Sequence, residues 1–371
     1  MIVGLFPELS GAGGIQRAGR LTAAALRSYA SRQDETCTFL GLNDRTNTSS
    51  VRVGSEDIEF AGFGRSKRSF AAAAWQVADG RPRVVVALHP NLAPIVAAMK
   101  FRSPRTRSVI FAHGVEVWTP LSFMRRQSLR RSDLVLAPSA YTVRQLIKQQ
   151  GTKPEKTDRL AWSLVPEFGA RKTAIATVPP TGFPSGRIIL TVGRWDAREA
   201  YKGVDHLIAA LPQLLRDVSD LHLVAIGGGS DLPRLERLAR QSGVAERIHF
   251  LPFLEPERLE AAYDFCDVFA LPSRGEGFGL VFLEAMSHSK PVVGGAHGGT
   301  PEIIEDGVSG YLVEYGEVSA LADRLRQILI DEPLRHRMGA AAHECVVRDF
   351  TFERFSVEFT ARLDALLAAA R

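Results

Sequence analysis

KTAIATVPPTGFPSGRIILTVG, residues 172–193, divides the chain in two. Its first part carries paired prolines and repeated glycines. Proline lacks a backbone N–H and glycine costs backbone entropy, so no helix interior and few strands accept such text. Its last part, IILTVG (Ile188 to Gly193), is a short β-branched run of the kind a buried parallel strand shows. A linker over 173–187 followed by a fresh first strand predicts an N-terminal domain, 1–172, and a C-terminal domain, 188–350. A final helix over 351–371, expected to cross back to the first domain, follows, with its apolar stripe at Phe352, Phe355, Phe359, Leu363 and Leu366. The length of 371 residues suits two domains, or three small ones.

Working outward, both halves alternate short apolar runs with longer segments of helical period, the pattern of a parallel sheet covered by helices on both faces. The first half offers strands at Ile2–Phe6, Thr38–Leu40, Val84–Leu88, Ser108–Ala112 and Leu134–Ala137. Between the first two, Ile15, Ala18, Leu21, Ala25, Leu26 and Tyr29 form one helical stripe. The second half offers Ile188–Gly193, Leu221–Gly227, Arg247–Phe253, Asp267–Ser273 and Pro291–Gly295, then helix after Glu317. The fold class is therefore α/β, with two Rossmann-like, doubly wound domains. Ligands of such sheets gather at the carboxyl ends of the strands, so chemistry is expected just after strands and in the cleft between the domains.

Composition excludes several classes. Hydrophobic residues make up 45% and charged residues 23%, ordinary for a globular protein. No apolar stretch approaches the ~18 residues a membrane helix needs. The start MIVGLFPELS reads as a buried strand rather than a signal peptide, and a cytoplasmic protein is expected. Cys37, Cys266 and Cys345 are odd in number and widely spaced, which predicts reduced thiols and no zinc site. Residues 1–180 hold 26 Lys and Arg against 13 Asp and Glu, whereas the remainder hold 20 against 28. That asymmetry points the first half toward an anionic surface. Its basic residues gather in Arg65, Lys67 and Arg68; in Lys100, Arg102, Arg105 and Arg107; and in Arg125, Arg126, Arg130 and Arg131. Leu121, Phe123, Met124 and Leu129 accompany the last group. A membrane surface suits this better than nucleic acid, because interleaved aromatics are lacking.

SRGEGFGLVFLEAMSHSKPVVG, Ser273 to Gly294, is the strongest chemical signal. Seven residues separate Glu276 from Glu284, with a glycine-rich turn between a strand and a helix. Gly277 and Gly279 free the backbone amides of Phe278, Gly279 and Leu280 at a helix start, where a phosphate or sugar oxygen is welcomed. This text resembles the paired-glutamate signature of retaining glycosyltransferases of the two-domain GT-B kind, most closely family four (group 1). The resemblance implies that Glu276 holds donor-sugar hydroxyls and Glu284 ribose hydroxyls. It also implies transfer of a hexosyl group, with retention, from a nucleotide diphosphosugar to a hydroxyl of a glycan or lipid-linked acceptor. No cofactor is implied beyond the UDP- or GDP-sugar donor.

Further segments fit the same family. In TVGRWDAREAYKGVDHLIAAL (Thr191 to Leu211), Arg194 and Lys202 match the two cations that grip the donor diphosphate, with extra residues, Asp196 to Tyr201, between them. Fixed cations stabilise the charge that develops on a departing diphosphate. Gly227, Gly228 and Phe253 fit the segments that cradle the nucleotide. GGTPEII (Gly298 to Ile304) also matches, though Thr300, Pro301 and Glu302 read equally as a helix cap with proline in the first turn.

In the first half, GAGGIQRAGR lacks the third glycine of a dinucleotide fingerprint, since Gln16 takes its place, so a dehydrogenase is disfavoured. Resemblance assigns the Gly13 and Gly14 loop to the donor phosphates and acceptor, and His113 to the neighbourhood of the reaction centre. His89 and Glu116 lie at comparable strand ends and are candidates for acceptor contact. The family's usual residues before the linker are replaced here by Trp162, Ser163 and Leu164, and no role carries over. No Asp-x-Asp occurs, and no metal site is expected. A phosphorylase or nucleotide-sugar epimerase on the same fold, and a non-catalytic nucleotide-sugar-binding module, are the competing readings. Sequence leaves the sugar, base and acceptor open.

Overall fold

The computed structural model describes residues 1–11, 13–54, 56–165 and 178–369. Of the expected linker, 173–177 lie outside the described residues, as does the boundary at 172; the next strand opens at Arg187. Two compact units form, Met1–Glu167 with Thr351–Arg371, and Phe168–Phe350.

The first unit is built on eight strands: β1 (Ile2–Phe6), β2 (Cys37–Gly41), β3 (Asn47–Val53), β4 (Glu56–Gly62), β5 (Val84–Ala87), β6 (Arg107–Phe111), β7 (Leu134–Ala137) and β8 (Thr157–Arg159). They form one sheet in the order β3-β4-β2-β1-β5-β6-β7-β8. β1 is buried along its whole length and pairs in parallel with β2 (Ile2 opposite Cys37) and β5 (Ile2 opposite Val84). Among the described residues of this sheet only β3 runs antiparallel, as a hairpin with β4. The helix Gly14–Arg32 buries Ala18, Leu21, Ala25, Leu26 and Tyr29, the stripe its spacing predicts, while Ile15 stays half-buried. Ser66 caps the helix Lys67–Asp79, accepting from the Ser69 amide at 3.3 Å.

The last helix, Phe352–Ala368, also belongs to this unit. Phe359 is fully buried, its ring centroid 5.4 Å from that of Phe111 and 5.8 Å from that of Phe355. Tyr29 donates to Asp364 at 2.6 Å, and Arg362 pairs with Asp158 at 2.8 Å. Of the expected stripe, Phe355, Phe359 and Leu363 are buried, whereas Phe352 and Leu366 are half-buried at the ends.

The second unit carries β9 (Arg187–Arg194), β10 (Leu221–Gly228), β11 (Ile248–Leu251), β12 (Val268–Leu271), β13 (Val292–Gly295) and β14 (Gly310–Val313). All its sheet pairings are parallel, in the order β11-β10-β9-β12-β13-β14. Both units are thus Rossmann-like. Each sheet has a switch point where strand order reverses, between β1 and β5 in the first and between β9 and β12 in the second.

Cys266 is buried and Cys37 and Cys345 are half-buried, all three as free thiols. Burial pushes the Cys37 thiol up to about 11 and that of Cys266 to about 12. No helix among the described residues is long and apolar enough to cross a membrane.

Candidate active site

The singled-out residues of the second unit follow β9, β10, β11 and β12, and so collect at the carboxyl edge of the sheet around its switch point. Arg194 ends β9, and Lys202 closes the short turn Ala197–Lys202 that follows it. Asp196 starts that turn by accepting from the Arg198 amide at 3.0 Å. The Lys202 side chain is only 16% exposed, its ammonium 3.3 Å from Glu199 Oε2. The other oxygen of Glu199 pairs with the Arg194 guanidinium, which is largely exposed. Burial pulls the Lys202 ammonium below its ordinary range, while the charge of Glu276 opposes the fall and that of Arg194 adds to it. Arg194, Lys202 and Glu276 therefore share one electrostatic neighbourhood, with Glu199 as a member that sequence reading missed.

Glu276 sits half-buried in the turn after β12, where its carbonyl accepts from the Gly299 amide at 2.8 Å. This contact ties the glutamate turn to the GGTPEII turn. Gly279, at φ +105, precedes the helix Leu280–Ser287, and a Cβ there would lie 2.6 Å from the Phe282 ring. Backbone conformation and space both require glycine at this helix start. Phe278 is buried, edge-on to Phe350, and Leu280 is half-buried. Glu284 is 1% exposed and accepts a hydrogen bond from the buried Tyr263 hydroxyl at 2.9 Å, so it is an interior group and not a solvated helix-end carboxylate.

Gly227 and Gly228 end β10, and a Cβ on Gly228 would lie 3.8 Å from the ring of Phe253, which is itself 61% exposed. In the GGTPEII turn the helix-cap reading of Thr300 is not met. Gly299 occupies the cap position, and the buried Thr300 hydroxyl has no hydrogen-bond partner among the described residues.

In the first unit the residues again flank a switch point. Gly13 and Gly14 open the helix after β1, His89 follows β5, and His113 and Glu116 follow β6. The His89 and His113 rings stack at 5.8 Å, and His113 stacks on Trp162 at 5.5 Å and 18°. The Leu88 carbonyl lies 2.6 Å from His113 Nε2, so Nε2–H donates to it. His89 Nδ1 accepts from the Asn91 amide at 3.1 Å, and burial with the neighbouring His113 lowers its pKa to about 4. His89 is thus a neutral turn cap at ordinary pH.

Glu116 spends both oxygens on backbone, accepting from the amides of His113 at 2.5 Å and Gly114 at 2.9 Å. Its place is to fix the loop that carries His113. Trp162, to which sequence gave no role, is 3% exposed and backs His113. Its position just beyond β8, at the same sheet edge, is the signal that marks it.

The basic clusters divide on inspection. Lys100 and Arg107 both pair with Asp133, at 2.5 and 3.3 Å, and Arg102 pairs with Asp79 at 2.5 Å. Two carboxylates thus offset half of that cluster's four positive charges. Leu129 is fully buried and Leu121 packs against the core, so neither forms an outer apolar edge. Phe123 and Met124 do, at 73% and 67% exposure, beside exposed Arg125, Arg130 and Arg131.

Comparison with known proteins decides the family. The model for glycosyl transferases group 1 matches residues 180–344, and that for glycosyltransferase family 4 matches 22–160. A GDP-mannose-dependent alpha-(1-6)-phosphatidylinositol monomannoside mannosyltransferase of Mycolicibacterium smegmatis is 32% identical over 287 residues, 73% of this chain and 72% of the relative. The chain belongs to glycosyltransferase family 4, the group 1 glycosyl transferases. Among solved structures, the transferase resembles the sucrose-phosphate synthase of Thermosynechococcus elongatus at a TM-score of 0.80 and 20% identity, over 99% of both chains. It resembles Anabaena HepE in complex with UDP-glucose at 0.76 and 20%, over 98% of this chain and all of the other. These likenesses show the GT-B fold.

Proposed function

We propose that the transferase moves a hexosyl group from a UDP- or GDP-sugar, with retention and without a metal ion, to a hydroxyl of a glycan or lipid-linked acceptor in polysaccharide or glycolipid synthesis. The observation that carries this reading is the group formed by Arg194, Lys202 and Glu276 at the carboxyl ends of β9 and β12. The mannosyltransferase relative names GDP-mannose, and HepE was solved with UDP-glucose; both donors enter the test for that reason.

In this reading Arg194 and Lys202 meet the diphosphate. As the bond between the anomeric carbon and the phosphate oxygen breaks, negative charge builds on the departing oxygen, and fixed cations stabilise that state more than the intact donor. The amides of Phe278, Gly279 and Leu280 at the helix start welcome an oxygen of the donor. Glu276 orients the sugar hydroxyls, Glu284 the ribose, and Gly227, Gly228 and Phe253 the base. His113, through Nδ1, and the Gly13 and Gly14 loop serve the acceptor and the transferred group. The acceptor hydroxyl gives its proton to the departing phosphate oxygen while its own oxygen bonds to the anomeric carbon. Bond broken and bond formed lie on one face of the sugar, which is retention.

The test is a transfer assay over UDP-, GDP- and ADP-sugars with and without EDTA, because side chains and helix amides supply the positive charge in this reading. Chelation is expected to leave the rate within about twofold. An α-linked donor should give an α-linked product by anomeric NMR coupling. A strict Mn²⁺ or Mg²⁺ requirement, or an inverted product, overturns this part of the proposal. Turnover to an epimer or a sugar phosphate without acceptor product would instead favour the epimerase or phosphorylase reading.

We further infer that the first unit docks on an anionic membrane to reach a lipid-borne acceptor. Exposed Phe123 and Met124 beside Arg125, Arg130 and Arg131 support this, since each basic residue near an anionic leaflet contributes about 1 kcal/mol. Wild type is expected to cosediment with phosphatidylserine-containing vesicles at low salt. A variant with Phe123, Met124, Arg125 and Arg130 changed to Ser should stay in the supernatant. Equal binding of wild type to neutral vesicles removes the electrostatic argument.

A further inference from the structure

One carboxylate engages both cations assigned to the donor diphosphate. Glu199 gives one oxygen to Arg194 and the other to Lys202, and its side chain is only 15% exposed. The segment that delivers it is anchored on the glutamate turn. The carbonyl of Tyr201 accepts from the Arg274 amide at 2.9 Å, and Gly275 has no Cβ where one would come within 2.6 Å of the Tyr201 ring. Glu199 is therefore held in place by packing, and is not a loose surface charge that happened to fall nearby.

The charges then compete. The two cations, Arg194 and Lys202, face the carboxylates of Glu199 and Glu276 in one group. A nucleotide diphosphosugar brings two negative charges to it. The nucleoside diphosphate left after transfer brings about three, because its new terminal phosphate has a second pKa near 6. A carboxylate paired with the same cations opposes the more highly charged product more than the donor.

We propose that Glu199 is a competing anion that keeps Arg194 and Lys202 in position while the site is empty and promotes release of the nucleoside diphosphate after transfer. This rests on the donor-site reading above. Glu199 acts through the two cations and not on the sugar, which makes it a positioning residue. Its removal has a signature that mere structural damage lacks, namely tighter binding of the product.

The experiment is calorimetric titration of wild type, Glu199→Gln, Glu199→Asp and Lys202→Ala with GDP, GDP-mannose, UDP and UDP-glucose. For whichever nucleotide wild type binds, Glu199→Gln is expected to tighten the diphosphate about tenfold and the corresponding nucleotide sugar about threefold, the gap reflecting the extra charge. Glu199→Asp should stay near wild type, and product inhibition should deepen in Glu199→Gln alone. Binding by wild type that Lys202→Ala abolishes, with Glu199→Gln unchanged or weaker, overturns this inference and leaves the donor site standing. No binding of any of the four by wild type overturns both.

Discussion

Changing Lys202 to Ala is expected to lower kcat by about 10²-fold or more, with Glu276→Ala producing a loss of the same order. The Lys202 ammonium is largely buried, so its charge acts through a medium that screens it less than water does. Burial already pulls its pKa down, and Glu276 opposes that pull. Removing the ammonium leaves Arg194 alone beside two carboxylates, so in the proposed reading the departing phosphate develops its charge beside one fixed cation in place of two. Lys202→Arg is not a conservative rescue, because a planar guanidinium presents its charge as a rigid fork where lysine presents a compact ammonium. Kinetics and thermal melting of both variants check the assignment. Near-normal turnover in both, with melting unchanged, sinks it; loss of folding in one leaves the other as the test.

Phe359→Ala is expected to destabilise the first unit by about 3–5 kcal/mol, the usual cost of emptying a buried aromatic site. For a unit of this size that corresponds to a fall in melting temperature of roughly 6–20 °C. The ring is fully buried between Phe111 and Phe355, and those two in turn pack on Trp162, the residue behind His113. Calorimetry should therefore show the transition of the first unit shifted and that of the second unmoved. A single shift of under about 1 kcal/mol would mean that the last helix contributes little to that core.

Most of the sheets was legible because their strands are buried on both faces and read as continuous apolar runs. Three of the strands that escaped notice, β3, β4 and β8, are those for which this fails. β3 and β4 carry Asn47, Thr48, Ser49, Glu56, Asp57 and Glu59 on an exposed edge hairpin, and β8 is a three-residue polar edge. β14, four residues long, follows a turn that hides its start. In the site, Glu276, Glu284, Arg194 and Lys202 were singled out by the resemblance of their motifs to the family. Glu199 was not, since Asp196, Arg198 and Glu199 in succession read as a solvated turn until the fold sets one carboxylate between two cations. Trp162 was hidden because stacking is a tertiary relation. The pairing within the basic cluster was hidden for the same reason: Asp133 and Asp79 lie tens of residues from Lys100 and Arg102, so counting charges along the chain treats the cations as free.

The first unit is drawn from both ends of the chain, whereas the second, Phe168–Phe350, is continuous. A ribosome therefore completes the second unit's sequence while the first still lacks Phe355, Phe359 and Leu363. The half that is synthesised earliest must wait through nearly two hundred further residues, with the side of its core around Phe111 and Trp162 open, and is finished last. A released chain truncated after residue 350 should thus present a protease-resistant second unit joined to a susceptible first.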